Sequence, residues 1–389
     1  MEFDDIRPYT DEEFREAKGR ILNGPEFGGL VYVLSSIYCA GKSTDSDVKS
    51  LRKEIGQQIG DANTVKDFQG VIDEHARRVM DKTISHLSQG GLENVVREDN
   101  RGFLFISNHR DIAMDYLIAN RILHSNGYER AMGAAGSNLL VSSIIGELLK
   151  LYNCFIVKRD PSGVQKQRDR HQKKQDKYVL SSYIYQLITG GHSIWLAQRE
   201  GRAKDGNDET NPNLIRMLCT AQEIDGASSF SDYINALNIV PISVSYQYDP
   251  SDVLKVKELL ARKLDPEYTK SGHEDKKNIF FGIAGAKGNV RISFGKPLRG
   301  DFSSPRAVAR AIDEQIQGQY YIWDTNEMAY CELFRDSRYA PFMRRYPDDV
   351  QTGFFDRFAK CSPEEKEIAL GMYARPLANK LKVMNRANY

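Results

Sequence analysis

The sequence predicts an α/β protein with a mixed, mostly parallel sheet, flanking helices, and helical extensions at both ends. Two observations carry this prediction. Short apolar runs that suit buried strands alternate with stretches in which apolar residues recur at helical spacing. Each run is also followed directly by polar or charged residues. The runs are Phe103–Ile106, Cys154–Val157, Ser193–Ala197, Asn238–Tyr246 and Val290–Phe294.

Helices are predicted between and around these strands. One is expected over residues 66–88, ended by Gly90-Gly91, and another from Asp111 to Asn126-Gly127. Further helices are expected over 178–188, around 214–221, and from Ser304-Pro305 onward. Pro241 lies inside the fourth apolar run, and it favours an edge strand or a bulge there because proline cannot donate to a strand ladder.

Two apolar segments allow alternatives. Leu30–Ile37 fits either a buried helix or a strand. Leu139–Leu151 fits a buried helix, or else a helix that faces lipid. We divide the 389 residues into an N-terminal helical region (1–94), a central domain (95–300) and a mainly helical C-terminal region (301–389).

The net charge and the cysteine content narrow the class of protein. The net charge is +1, so no overall basic excess indicates nucleic-acid binding. The five cysteines are scattered without paired spacing, which favours a reducing compartment over a disulfide framework or a zinc site. We expect no signal peptide and no run long enough to cross a bilayer. The expected location is therefore cytoplasmic.

A histidine lies where the first predicted strand gives way to a helix. His109 follows Phe103–Ile106 after two polar residues, and Asp111 and Asp115 come shortly afterwards. Ligands bind at the carboxyl ends of strands in open α/β sheets. A neutral imidazole there can take a proton from a hydroxyl while a carboxylate orients its ring. The alternative is structural, with Asp111 capping the helix beside a buried, hydrogen-bonded histidine.

Cations follow two further strands. Lys158 and Arg159 come directly after Cys154–Val157, and Glu200, Gly201, Arg202 and Lys204 follow Ser193–Ala197. Cations at strand ends suit a phosphate, since the arginine fork can donate to two of its oxygens. The basic stretch at 160–177 is better explained as a solvated helix face.

With these stretches in hand, the chain resembles the glycerol-3-phosphate and 1-acylglycerol-3-phosphate (lysophospholipid) acyltransferases over about residues 95–300. Their four motifs resemble, in order, Asn108-His109-Arg110 with Met114-Asp115-Tyr116-Leu117, Phe155–Arg159, Glu200-Gly201-Arg202, and Val240-Pro241-Ile242. The order and spacing of these short motifs are more specific than any one of them. The resemblance implies the same α/β fold.

Two departures from the family pattern concern the site. Five residues separate His109 from Asp115 where the family has four, so either a local bulge absorbs the extra residue or Asp111 takes the place of Asp115. Arg202 directly follows Gly201, whereas the family places one small residue between them. Arg202 or Lys204 could therefore fill the basic role.

The resemblance implies direct acyl transfer. His109 would be the general base, with Asp115 orienting its ring, and the acceptor hydroxyl would attack the thioester of acyl-CoA or acyl carrier protein. Arg159, Glu200, Gly201 and Arg202 would bind the acceptor through its phosphate, with Lys158 and Lys204 as alternatives. No metal and no cofactor is expected, because a thioester is already activated. The expected partners are the acyl donor, a phosphorylated glycerol or lyso-lipid acceptor, and the anionic inner face of a membrane.

Two other classes remain as alternatives. A lipid or thioester hydrolase could use the same His–Asp pair to activate water. A non-catalytic protein could use the basic segment to bind anionic lipid or nucleic acid. The sequence does not specify the acceptor, the acyl length or the donor.

Overall fold

A computed structural model of the protein describes residues 3–97, 99–140, 143–158, 170–226, 228–269, 272–334 and 346–387. A seven-stranded sheet forms its centre, in the spatial order β1-β7-β6-β2-β5-β3-β4. The strands are β1 Ile84–Gly90, β2 Leu104–Ser107, β3 Met132–Gly136, β4 Cys154–Val157, β5 Ile194–Ala197, β6 Ile239–Tyr246 and β7 Gly288–Phe294.

Neighbouring strands are parallel except for β6 and β7, which pair antiparallel. The mixed, mostly parallel sheet predicted from the sequence is therefore confirmed. Strands β6, β2, β5, β3 and β4 run the same way, so their carboxyl ends meet at one edge of the sheet. Each of the five predicted apolar runs forms a strand.

Helices cover both faces of the sheet and extend the chain at each end. Those of the N-terminal part are α1 Asp11–Asn23, α2 Phe27–Tyr38, α3 Asp45–Asp61 and α4 Val65–Thr83. Those of the central part are α5 Met114–Ser125, α6 Ser143–Leu151, α7 Arg170–Thr189, α8 Pro212–Leu218, α9 Thr220–Asp225, α10 Phe230–Ala236, α11 Asp252–Leu264 and α12 Gly272–Ala284. Those of the C-terminal part are α13 Pro305–Gln319, α14 Asp324–Phe334, α15 Asp348–Asp356 and α16 Pro363–Ala387.

The N-terminal helices form a cluster of their own beside the sheet. Phe14, Phe68 and Leu151 are fully buried in it. Helix α2 resolves the ambiguity over Leu30–Ile37, which is helical. Helix α6 contributes Ile144 and Leu151 to the same core, which agrees with the buried-helix interpretation for the part of 139–151 that is helical; residues 141–142 lie outside the described residues.

Two local predictions were wrong. The helix expected over 66–88 ends at Thr83, and Ile84–Gly90 is instead strand β1, paired with β7. The helical spacing of apolar residues continues as far as Leu87, and no local sequence signal indicates the transition from helix to strand at Ile84. Strand β1 thus lies within the region 1–94 that was expected to be helical.

Pro241 lies in an interior strand, not at an edge or a bulge. Strand β6 lies between β2 and β7, and its pairing with β7 begins only at Ile242. The Pro241 carbonyl accepts a hydrogen bond from the Gly295 N–H at 2.7 Å, just beyond β7. Proline is tolerated because the β7 ladder does not require a donor at this position.

None of the helices in the described part of the chain is both long enough and apolar enough to span a bilayer.

Asp313 joins helix α13 to the segment between β5 and α8. Its Oδ1 accepts the Thr210 N–H at 2.7 Å, and burial raises the pKa of the Asp313 carboxyl from 3.8 to about 7. A pKa raised by folding means that the native state binds the proton more tightly than the unfolded chain does. The resulting stabilisation is complete below about pH 4 and is lost as the pH rises through 7.

We therefore expect Asp313→Asn to raise the melting temperature at pH 8 and to have little effect near pH 4. The amide oxygen can still accept the Thr210 N–H, but the side chain cannot ionise. The rise in the pKa of Asp313 on folding corresponds to at most about 4 kcal/mol of the free energy of unfolding. Thermal unfolding followed by circular dichroism from pH 4 to 8 measures this, with the exposed Asp301→Asn as the matched control. Equal effects of Asp313→Asn at both ends of the range would refute the assignment.

Candidate active site

The segment 108–113 turns the chain from strand β2 into helix α5 and carries His109 at the carboxyl edge of the sheet. The loop after β5 lies directly against it. The Gln198 N–H donates to the Ser107 carbonyl and the Ala203 N–H to the His109 carbonyl, each at 2.8 Å. The two strand-end loops are therefore held together by backbone hydrogen bonds on both sides of the histidine.

The Asp115 carboxylate is the centre of this turn. Its Oδ2 accepts hydrogen bonds from His109 Nδ1 at 2.9 Å, from the Arg110 N–H at 2.6 Å and from the Asp111 N–H at 2.9 Å. Its Oδ1 accepts from the Tyr246 hydroxyl at 2.8 Å. The side chain of Asp115 is completely buried, so these four donors replace water as its solvation.

The contact with Asp115 determines what the His109 ring can do. A carboxylate accepts only, so the bond assigns a proton to Nδ1 and leaves Nε2 of the neutral ring with a free lone pair. The His109 side chain is 14% exposed, and its ring packs edge-on against Trp195 with the centroids 5.7 Å apart. Held in this tautomer, His109 can accept a proton through Nε2.

Asp111 does not contact the histidine ring. Its Oδ1 accepts the Ala113 and Met114 N–H groups at 3.0 and 2.8 Å and so caps the start of α5. Its Oδ2 has no hydrogen-bond partner among the described residues, and burial together with Asp115 raises the pKa of the Asp111 carboxyl. Of the two aspartates considered from the sequence, Asp115 is the one beside the ring. The extra residue is absorbed where the backbone of 110–111 folds around the Asp115 carboxylate.

Several buried polar residues hold this turn in place, and the sequence analysis assigned none of them a role in the site. The Asn108 side chain bridges to β6, donating to the Val244 carbonyl at 3.0 Å and accepting the Val244 N–H at 2.7 Å. Arg110 donates to Asp208 at 2.5 Å. Tyr246 could have been found by the strand-end rule, because it closes the predicted strand Asn238–Tyr246.

Two buried lysines add positive charge behind the turn. Lys255 donates to the Arg110 carbonyl at 2.6 Å and forms an ion pair with Asp249. Lys287 donates to the Ile283 and Gly285 carbonyls, and burial lowers its pKa to about 8 even though Asp111 opposes that shift. No local sequence pattern distinguishes these lysines from surface lysines.

The residues expected to bind phosphate fall into different environments. Arg202 is buried, and its Nη1 has no hydrogen-bond partner among the described residues. Glu200 is exposed, and Gly201 adopts a left-handed conformation with φ of 73°. Lys204 forms an ion pair with Glu258 at 2.5 Å. Arg202 is thus the cation of this loop that retains an unused buried donor.

Lys158 lies at the end of β4 and is 3.2 Å from Asp5. With Arg199 and Glu200 it lines a cleft of about 630 Å³ between the strand ends and helices α7 and α8, which we call the strand-end cleft. Its described lining does not include His109. Arg159, expected to bind phosphate, lies outside the described residues.

Comparison with known proteins identifies the class of this domain. The family model described as Acyltransferase matches residues 86–245, which include β2, the His109 turn, the loop after β5 and most of β6. Residues 86–245 therefore belong to the acyltransferase family, and the family expected from the motifs is confirmed.

Curated glycerol-3-phosphate acyltransferases are similar in sequence to parts of this chain. A glycerol-3-phosphate acyltransferase of Xanthomonas axonopodis pv. citri (strain 306) is 30% identical over 103 residues, which are 26% of this chain and 10% of the relative. Another from Baumannia cicadellinicola subsp. Homalodisca coagulata is 26% identical over 204 residues, which are 52% of this chain and 22% of the relative. The chain thus matches between about a tenth and a fifth of the length of these relatives.

A solved structure also matches, that of the 1-acyl-sn-glycerophosphate (LPA) acyltransferase, PlsC, from Thermotoga maritima. It is 11% identical with a TM-score of 0.35, and the match covers 78% of this chain and 90% of that one. This similarity is too low to support a conclusion about substrate.

Proposed function

We propose that this protein transfers a fatty acyl group from an acyl thioester to a hydroxyl of glycerol-3-phosphate or of a lyso-lipid. The observation that carries the proposal is the hydrogen bond from His109 Nδ1 to the buried Asp115, within the segment that matches the acyltransferase family. It directs the basic Nε2 away from the carboxylate. The relatives named as glycerol-3-phosphate acyltransferases support this choice of acceptor class.

In the proposed reaction, His109 Nε2 takes the proton of the acceptor hydroxyl as its oxygen attacks the thioester carbon. The tetrahedral intermediate collapses, the carbon–sulfur bond breaks, and the leaving thiolate takes up the proton from the His109 imidazolium, which restores the neutral base. An ester and a free thiol result. The donor is acyl-CoA or acyl carrier protein. Asp115 balances the positive charge that develops on the imidazole, as the carboxylate does in other His-based sites.

For the acceptor phosphate, Arg202 is the residue that the structure favours in the loop after β5. Its buried guanidinium has a donor without a partner among the described residues, and a buried donor is stabilised when a ligand accepts from it. The loop is fixed against the His109 carbonyl through Ala203. Glu200 and Gly201 shape the same loop, and Arg159 and Lys158 remain proposed contributors from the end of β4.

The central test of the proposal is acyl transfer by His109→Ala. We expect a loss of about 10²–10⁴-fold in turnover with the fold intact, because the variant lacks its general base. Thiol release from an acyl thioester should be measured with and without glycerol-3-phosphate, and the lipid product identified by mass spectrometry. His86→Ala, at an exposed histidine of β1, is the matched control.

The same assay separates the alternatives. Release of thiol and free fatty acid at the same rate without acceptor would assign the site to a hydrolase. Near wild-type turnover of a folded His109→Ala protein would remove His109 from the mechanism.

The two aspartates give a second test. Asp115→Asn should reduce turnover strongly, because an amide can hold the wrong tautomer and cannot balance the imidazolium. Asp111→Asn should be mild, since asparagine caps a helix about as well as aspartate does. Turnover numbers of the two variants, compared at equal folded fraction, measure this. A larger loss for Asp111→Asn would show that the hydrogen bond to Asp115 does not serve the reaction.

We also propose that the protein works as a peripheral protein on an anionic membrane surface, on the cytoplasmic side. Phe280 and Phe281 of α12 are 38% and 43% exposed, although both are large apolar side chains. The next residue, Gly282, lies so close to Asp111 that an added Cβ would be 2.1 Å from its Oδ2. An exposed apolar pair therefore lies beside the His109 turn, where a lipid substrate would arrive. Lys277, one turn before this pair on the same helix, is exposed and adds positive charge.

Flotation with anionic vesicles tests the membrane proposal. We expect the wild-type protein to float at low salt and less at high salt, because the Debye length falls from about 30 Å at 0.01 M to about 10 Å at 0.1 M. The double variant Phe280→Ser/Phe281→Ser should bind several-fold less. Ile224→Ser, at an exposed apolar residue of α9, is the control. Recovery of no wild-type protein with the vesicles at low salt would contradict the proposal.

A further inference from the structure

A second large cavity, of about 800 Å³, lies away from the His109 turn. It is formed where β1 and β7 end, against helices α13 and α16. Three cations line it: Arg291 of β7, Lys296 just after β7, and Lys380 of α16. Asn94, Gln315 and Tyr321 add polar and aromatic surface. We call this the basic cavity. Its volume is in the range of small-molecule sites.

The basic cavity opens on the face of the sheet opposite to His109. Val290, Ile292 and Phe294 of β7 pack in the same core as Trp195 and Tyr246, the residues that contact His109 and Asp115. Successive side chains of a strand point to opposite faces. Arg291 and Ser293, which line the cavity, therefore point away from the His109 side.

The charged side chains that line the described part of the basic cavity are all positive. Among the described residues that line it there are three cations and no carboxylate. Lys380 is partly buried and donates to the Tyr320 carbonyl at 2.9 Å, which leaves donors of its ammonium group for another acceptor. Burial lowers the pKa of Lys380, and no acidic side chain among its described neighbours counters this. A partly buried cation of this kind is stabilised by an anion.

The lining is also held in position before any ligand binds. Gln315 accepts the Lys296 N–H at 2.8 Å and donates to the Lys296 carbonyl at 3.1 Å. The Arg291 guanidinium lies over the Tyr321 ring, 5.5 Å from its centroid. Fixing the backbone of one cation and the guanidinium plane of another reduces the entropy lost when both bind one ligand.

We propose that the basic cavity binds a phosphate-bearing anion. Arginine and lysine together suit phosphate oxygens, the first through its planar fork and the second as a point charge. Three cations match a ligand with more than one negative charge. The phosphate belongs either to a soluble compound or to a phospholipid headgroup. This site lies apart from the acyl-transfer site and does not depend on it.

The chain provides a local reporter for this binding. It has two tryptophans, Trp195 beside His109 and Trp323 at the cavity. The ring centroids of Trp323 and Tyr321 are 4.3 Å apart. In a Trp195→Phe background, tryptophan fluorescence comes from Trp323 alone. Titration with inorganic pyrophosphate at constant ionic strength should then give a saturable change that reports the basic cavity and not the His109 site.

Variants with matched charge decide the origin of the signal. We expect Arg291→Gln/Lys296→Gln/Lys380→Gln to weaken pyrophosphate binding at least about tenfold, as the loss of charged hydrogen bonds requires. The control Arg306→Gln/Arg310→Gln/Lys382→Gln also removes three cations. They lie on α13 and α16 but outside the cavity, so binding should change less than about twofold. If the cavity triple variant does not fold, Lys296→Gln alone, at an exposed position, should still weaken binding measurably.

Vesicles identify the source of the phosphate. A Trp323 signal with phosphatidylglycerol vesicles that pyrophosphate displaces, and none with phosphatidylcholine alone, would assign the site to a lipid headgroup. A response to pyrophosphate without any response to vesicles would assign it to a soluble compound. The proposal is overturned if Trp323 shows no saturable change with either probe, or if the two triple variants lose binding equally.

Discussion

The buried carboxylate of Asp115 is the constraint on which the rest of the site depends. A buried carboxylate is strongly destabilising unless donors replace its hydration. Here the donors are the His109 ring, the N–H groups of Arg110 and Asp111, and the Tyr246 hydroxyl. Burial and the neighbouring Asp115 raise the pKa of Tyr246 well above its usual value, so its hydroxyl stays a donor. Satisfying one carboxylate thus fixes the turn after β2, the start of α5 and the end of β6.

The topology of the sheet explains why these groups meet. Strand β2 lies between β6 and β5, and all three run parallel, so their carboxyl ends are adjacent. The β6 end supplies Tyr246, and the β5 end supplies the loop that carries Arg202. Asn108 ties the turn to β6, and Arg110 ties it to Asp208 between β5 and α8. The proposed base is therefore held by rigid elements, which is how a site keeps its geometry during reaction.

Much of this arrangement could be predicted from the sequence, because it follows from local patterns. Apolar runs followed by polar residues located the strands and placed His109 at a strand end. Choosing between Asp111 and Asp115 required the path of the backbone, since the extra residue is absorbed by the turn at 110–111 and no spacing rule describes that turn. Asp111 caps the helix, as the structural alternative predicts for this residue.

What could not be predicted depends on contacts between distant parts of the chain. Lys255 reaches the Arg110 carbonyl across 145 residues, and the Asp208 carboxylate that pairs with Arg110 is 98 residues away. Strand β1 was mistaken for helix because the apolar spacing of α4 runs on into it. It becomes a strand through pairing with β7, some 200 residues later. The sequence favours an edge strand or a bulge at Pro241, because the position at which β7 pairing begins is not visible in the sequence.

We propose that Asp115 holds His109 with its proton on Nδ1, which leaves Nε2 as the base. Nitrogen-15 NMR of histidine-labelled protein tests it directly. The chain has seven histidines, so His109→Gln would assign the relevant pair of resonances. At a pH where the ring is neutral, Nδ1 should be protonated and Nε2 unprotonated, and Asp115→Asn should disturb this preference. A His109 ring protonated on Nε2, with Nδ1 unprotonated, would contradict it.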